Sequence, residues 1–145
     1  MSDDPHTLTL AIIKPDAFGS GKAGTILAAL EQAGFRIRGA RVLHLSTAQA
    51  EAFYAVHRER PFYGSLVAFM TSGPCMPLAL ENERAVPYLR EVIGATDPAE
   101  AEPGTIRALY AESKERNAIH ASDSPENART EIGFFFGAAD LIDAG

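Results

Sequence analysis

The chain has 145 residues, 46% hydrophobic and 22% charged, with a formal charge of −6 and one cysteine, Cys75. That length and composition predict one domain over 1–145 with a buried core, and exclude a disordered chain and an intramolecular disulfide. The acidic balance argues against a nucleic-acid binder, which needs a basic face, but leaves room for a few cations converging on phosphates.

Residues 1–6 are acidic and polar, which predicts a frayed tail and no signal peptide. The longest apolar runs, such as Leu10–Ile13, are too short to span a bilayer. With a single thiol, this makes a cytoplasmic protein the expectation. Thr7–Ile13 reads as a buried first strand ending at Lys14-Pro15-Asp16, where Pro15 sets the turn and Asp16 is expected to bond locally. Phe18 to Lys22 reads as a loop. Ala23, Ile26, Leu27 and Leu30 follow helical spacing, and Gly34 stands where a left-handed cap belongs.

Phe35 and Ile37 alternate with Arg36 and Arg38 in a second strand, and the phase slip at Gly39 predicts a bulge. Ser46 with Gln49 is a capping box for a helix whose inner face is Ala50, Phe53 and Tyr54. Leu66–Met70 reads as the third strand. Ala85, Val86, Leu89, Val92 and Ile93 form an amphipathic helix closed by Gly94. From Thr96 to Arg116 the signals are mixed, with one short helix near Ile106–Ala111; an irregular segment of that length is more often functional than idle. Ala118-Ile119 reads as a short strand. Ser124 and Pro125 start a last helix with Ala128, Ile132, Phe135 and Phe136 on one side. The order predicts an α+β sandwich of the ferredoxin-like, split-βαβ kind, a four-stranded antiparallel sheet with helices packed on it.

Of the four histidines, His6 falls in the tail, His44 in a strand pattern where packing is the commoner role, and His57 at a helix end, where a structural role is expected. His120 precedes a polar turn and a helix N-terminus, a setting that favours phosphate. On local context it stands evenly between a packing residue and a nucleophile. Gly19-Ser20-Gly21-Lys22-Ala23-Gly24 is no P-loop, because Asp16 occupies the first glycine position and Ala23 the Ser/Thr position. Lys14, Arg90 and Arg107, taken singly, are surface charges. Cys75 has no evident base partner and is given no catalytic role.

Ala11-Ile12-Ile13-Lys14-Pro15-Asp16, Arg60-Pro61-Phe62, Met70-Thr71-Ser72-Gly73-Pro74, Gly94-Ala95-Thr96, Pro103-Gly104-Thr105-Ile106-Arg107 and Asn117-Ala118-Ile119-His120-Ala121-Ser122-Asp123-Ser124 resemble, in order and spacing, the nucleoside diphosphate kinases. The resemblance runs over roughly residues 7 to 138 and implies a ferredoxin-like fold and Mg2+-dependent, ping-pong transfer of a γ-phosphate between nucleotides, which maintains NTP and dNTP pools. It implies that His120 is phosphorylated and that Glu131 holds its ring, with Tyr54 close to His120 and Lys14. Lys14 and Asn117 match the groups on the sugar hydroxyl and phosphates. Arg90, Thr96 and Arg107 match the phosphate clamp, and Phe62 with Leu66 the base platform. No metal-ligating residue is implied, since the nucleotide's phosphates carry the magnesium. The short ending after Phe136 resembles bacterial forms and implies a homo-tetramer ahead of a hexamer or dimer.

The chain departs from the family pattern at Ala121, Asn82, Arg84, Pro87 and Leu109, positions that bear on helix geometry and assembly more than on catalysis. Two other readings compete: a histidine-based phosphatase or metal hydrolase, and a silent ferredoxin-like nucleotide-binding or regulatory module. The first lacks a clustered ligand set; the second would be expected to have lost His120, Lys14 or Arg107.

Overall fold

β1 (Leu8–Ile13) is the centre of the molecule, buried along five of its six residues. The computed structural model describes residues 7–141, so the expected tail and His6 lie outside the described residues. β1 reads as an apolar run because helices cover both of its sides. Ala11 and Ile13 enter one core with Ile26, Leu30, Leu89 and Ile93, whereas Leu10 and Ile12 enter the other with Ala50, Met70, Ile132 and Phe135. β2 (Arg36–Ala40), β3 (Met76–Glu81) and β4 (Ile119–Ala121) complete a four-stranded antiparallel sheet in the order β2-β3-β1-β4. This is the ferredoxin-like arrangement.

Helices α1 (Pro15–Gly19), α2 (Ala23–Gln32), α3 (Thr47–Phe53), α4 (Tyr63–Met70), α5 (Ala85–Ile93), α6 (Ile106–Tyr110) and α7 (Pro125–Phe135) connect the strands. The caps fall where side-chain chemistry puts them. Ser46 and Gln49 form the reciprocal capping box of α3, and Ser124 Oγ accepts from Asn127 N with Pro125 opening α7. Gly34, past the end of α2, has φ +103°, a conformation only glycine takes freely. The sheet register slips between Ile37 and Gly39, so the bulge is present. No described helix is long and apolar enough to cross a membrane.

Three expectations are corrected. Leu66–Met70 is the end of α4, and the third strand is Met76–Glu81. A short apolar run does not distinguish a buried strand from a buried helix, whereas Pro77 hides a real strand. Pro77 O accepts from Arg41 N beyond the end of β2, so the missing N–H lies on that side and takes nothing from the β1 ladder. Phe18 and Gly19 finish the short helix α1 in place of a loop. His120 lies inside β4, not after it, because Ala118 is turned out of the strand at φ +74°.

The departures at 82–87 are accommodated. Asn82 Nδ2 donates to Gly34 O at 3.2 Å and its Oδ1 accepts from Arg84 N at 3.0 Å, which turns the chain into α5. Pro87 is the third residue of α5, where the missing N–H is one that has no partner within the helix anyway.

Candidate active site

β4 pairs with β1 so that His120 lies opposite Ile12. Residues directly opposite share a face, and His120 therefore stands on the side covered by α3, α4 and α7. Its Nε2 meets Glu131 Oε1 of α7 at 2.8 Å, and the same oxygen accepts from Ser122 Oγ at 2.7 Å. The rings of Phe53 and Tyr54 lie edge-on to it at 5.6 and 6.3 Å. Nε2 is thus engaged by a carboxylate, while Nδ1 has no hydrogen-bond partner among the described residues.

Lys14 follows β1 directly. It is 7% exposed, and its Nζ donates to Asn117 Oδ1 at 2.8 Å. Asn117 Nδ2 in turn donates to Thr96 O at 3.2 Å. Burial, then the Arg107 charge, lower the Lys14 ammonium to about 8. Arg107 is buried as well, contrary to the surface reading. Its Nη1 and Nη2 donate to Gly94 O and Ile119 O at 3.1 and 2.7 Å, leaving Nε without a partner. Burial and the neighbouring Arg90 lower it to about 10. Burial and a neighbouring cation thus weaken the hold of both Lys14 and Arg107 on their protons, a strain of like charges that a nearby anion would relieve.

Arg90, Thr96 and Arg107 line one cleft with Gly94; Arg90 and Thr96 are exposed. Phe62 caps α4 and is 47% exposed. Leu66 lies one turn on, its N–H bonded to Phe62 O, and is partly buried. Phe62 connects to the histidine through rings: His57 is 5.5 Å from Phe62 and 6.4 Å from Tyr54. Tyr54 is buried, its hydroxyl has no partner, and burial raises its pKa well above the usual range, so it stays a donor.

His44 is exposed with its Nε2 on Thr71 O at 2.7 Å, not packed. Cys75 is fully buried and burial pushes its thiol up to about 11, which makes it inert. Sequence reasoning missed Ser122, although a residue two along a strand from His120 shares its face. It also misjudged Asp16. Its carboxylate bonds Ala118 N at 3.0 Å, 102 residues away, and not a local group.

The family model for nucleoside diphosphate kinase matches residues 7–141. A nucleoside diphosphate kinase of Chlorobium limicola is 53% identical over 134 residues, 92% of this chain and 96% of the relative. The Aquifex aeolicus nucleoside diphosphate kinase superposes with a TM-score of 0.92 at 46% identity, covering 94% of this chain and 99% of that one. A halophilic nucleoside diphosphate kinase of Halobacterium salinarum, solved in complex with CDP, gives 0.90 at 35% identity over 95% of this chain and 92% of that one. Fold, cleft and these likenesses agree: the chain belongs to the nucleoside diphosphate kinase family, enzymes that move the terminal phosphate of a nucleoside triphosphate onto a nucleoside diphosphate.

Proposed function

We propose that this transfer runs by a ping-pong mechanism through a phosphohistidine on Nδ1 of His120. The observation that carries the reading is the engaged Nε2: with its N–H held by Glu131 at 2.8 Å, the ring presents the Nδ1 lone pair as the nucleophile. A phosphorus–nitrogen bond forms as the bond from the γ-phosphorus to the β,γ-bridging oxygen breaks. The nucleoside diphosphate leaves with that electron pair. The ring becomes cationic, and the Glu131 carboxylate offsets the charge. A terminal phosphate oxygen of the second diphosphate then attacks the phosphorus and returns the ring to neutrality. One site serves both halves.

Arg90, Thr96 and Arg107 hold the phosphates, and Tyr54 stands beside His120. Lys14 and Asn117 serve the sugar hydroxyl and phosphate region. Phe62 with Leu66 takes the base by stacking, which every nucleobase permits, and we count pyrimidine diphosphates such as the CDP bound by the Halobacterium protein among the acceptors. A nucleotide kinase works with a divalent cation, and we take it to be Mg2+. The donor set fits an ion brought by the nucleotide: Glu91, Glu100 and Glu102 line the cleft beside Arg90 and Arg107, yet among the described residues no three His, Cys, Asp or Glu side chains form a group that could hold a metal. The phosphates would hold it, and it would supply neutralisation of their charge. We further read the chain as one kinase domain, a cytoplasmic homo-tetramer that maintains NTP and dNTP pools.

Mixing the protein with γ-labelled ATP should leave acid-labile, base-stable label on His120, and His120→Ala should abolish exchange while keeping the fold. Exchange persisting above a few per cent in clean His120→Ala protein would remove the phosphohistidine from the mechanism.

A further inference from the structure

The strand carrying His120 begins in a strained turn. Ile119 N donates to Asn117 O at 2.9 Å, and the residue between them, Ala118, has φ +74°. A bond across two positions around a positive φ belongs to the rarer, strained hand of γ-turn. Ala118 is the one non-glycine with positive φ among the described residues. A side chain makes that conformation unfavourable, so an alanine keeps it only where neighbours over-determine it.

One segment supplies both neighbours. The Ala118 carbonyl accepts from Lys14 N at 2.9 Å, and its N–H donates to Asp16 Oδ2 at 3.0 Å. Asp16 is 7% exposed, so this bond is made out of reach of competing water. It sits in α1, whose first residue, Pro15, fixes the backbone where it leaves β1. The turn is bonded to the candidate site on both sides. Asn117 enters the turn and bonds Lys14 Nζ; Ile119 leaves it and its carbonyl takes Arg107 Nη2. His120 comes next.

We propose that Asp16 is a positioning residue for the transfer: by holding the Ala118 N–H it locks the γ-turn that sets His120 against Glu131 and Asn117 against Lys14. The proposal rests on His120 as the nucleophile. Asp16 acts through the turn and not on the nucleotide. Its charge also bears on Lys14, whose ammonium it favours, so turn and counter-ion must be separated by experiment.

The variants are Asp16→Ala, Asp16→Asn, Ala118→Gly and the Asp16→Ala/Ala118→Gly pair, compared in the full chain. Hydrogen exchange at the residue-118 amide, followed by NMR, reports the turn without reference to catalysis. In Asp16→Ala that amide should exchange at least about tenfold faster, since its buried acceptor is gone. The kcat should fall about tenfold to a hundredfold, with KM within about threefold, because misplacement of the nucleophile costs rate more than binding. Asp16→Asn keeps an oxygen to accept the same bond and should stay within about threefold of wild type. Adding Ala118→Gly to Asp16→Ala should return at least about fivefold of the lost kcat, because glycine takes a positive φ without a partner.

Unchanged kcat or unchanged amide exchange in Asp16→Ala overturns the proposal. Equal losses in Asp16→Ala and Asp16→Asn, unrecovered by glycine, overturn it too and assign Asp16 to Lys14 alone. If Asp16→Ala does not fold, the double variant should restore both folding and turnover, and its failure to do so counts against the turn. Label from ATP on a residue other than His120 of the wild type would sink the nucleophile reading, separately from every Asp16 arm.

Discussion

At the scale of single residues, Lys14 and Arg107 are the proposed phosphate ligands. Both are nearly buried, both donate to carbonyl oxygens, and both hold their protons less firmly than in water. With Lys14 lowered to about 8, the charged form that a phosphate needs is lost as pH rises through that value. The profile of kcat/KM for ATP should therefore fall on an alkaline limb near pH 8, since that quantity reports the free enzyme. Lys14→Arg should move the limb upward, and a profile flat to pH 10 would show that Lys14 is not required as a cation. Arg107 separates charge from shape. Its guanidinium bridges Gly94 O and Ile119 O from two different nitrogens, which a lysine's single ammonium does not reproduce. Arg107→Lys should keep the charge yet lose about a hundredfold in kcat/KM, the size of about 3 kcal/mol of transition-state contact. Lys22→Ala, in the glycine-rich loop that is no P-loop, should change the rate little. Comparable losses in the two variants would reassign the basic residues.

At the scale of elements, the segment between α5 and β4 delivers Arg107, and Gly94 is its pivot. Gly94 ends α5 at φ +90°, and a Cβ there would lie 2.5 Å from Thr105 Oγ1 and 2.8 Å from Thr105 Cβ. Thr105 is the N-cap of α6, accepting from Ala108 N, so displacing it moves the helix that carries Arg107. Gly94→Ala should cost about 2–4 kcal/mol in urea unfolding, from the strained φ together with overpacking, and should raise KM for nucleotide. Stability within error of wild type would mean that α6 yields without resistance. The caps that define these elements were legible: Ser46 with Gln49, Ser124 with Pro125, Gly34 and Gly94 are side-chain or glycine chemistry written at single positions. α4 and β3 were not, because Leu66–Met70 is apolar in both periods and Pro77 masks a strand whose neighbour ends early. The candidate site divides the same way. His120, Lys14 and Arg107 came with ordered motifs, and Glu131 came by position in the family pattern. The bond from Asp16 to Ala118 joins backbone to side chain across 102 residues, and no local pattern announces a γ-turn.

For the whole molecule, the proposed tetramer sets requirements on the contacts between copies. Among the large apolar side chains exposed in the isolated chain are Val42, Val56 and Leu109, at 58%, 80% and 58%. Leu109 stands where the family pattern has a charged residue. Each chain carries a formal −6, so copies brought together repel, and apolar contact between them would have to offset that repulsion. Salt then has a definite sign. Raising ionic strength shortens the screening length from about 30 Å at 0.01 M to about 8 Å at 0.15 M, which weakens repulsion between copies and leaves apolar contact intact. Light scattering at 0.15 M salt should give a mass of four 15.5 kDa chains, and diluting the protein at 0.01 M salt should shift the population toward smaller species. Leu109→Glu should deepen that shift if position 109 is buried between copies and leave it unchanged if it is not. A mass of two or six chains would replace the tetramer outright. An assembly that loosens as salt rises would mean that ion pairs between copies, and not apolar burial, hold it together.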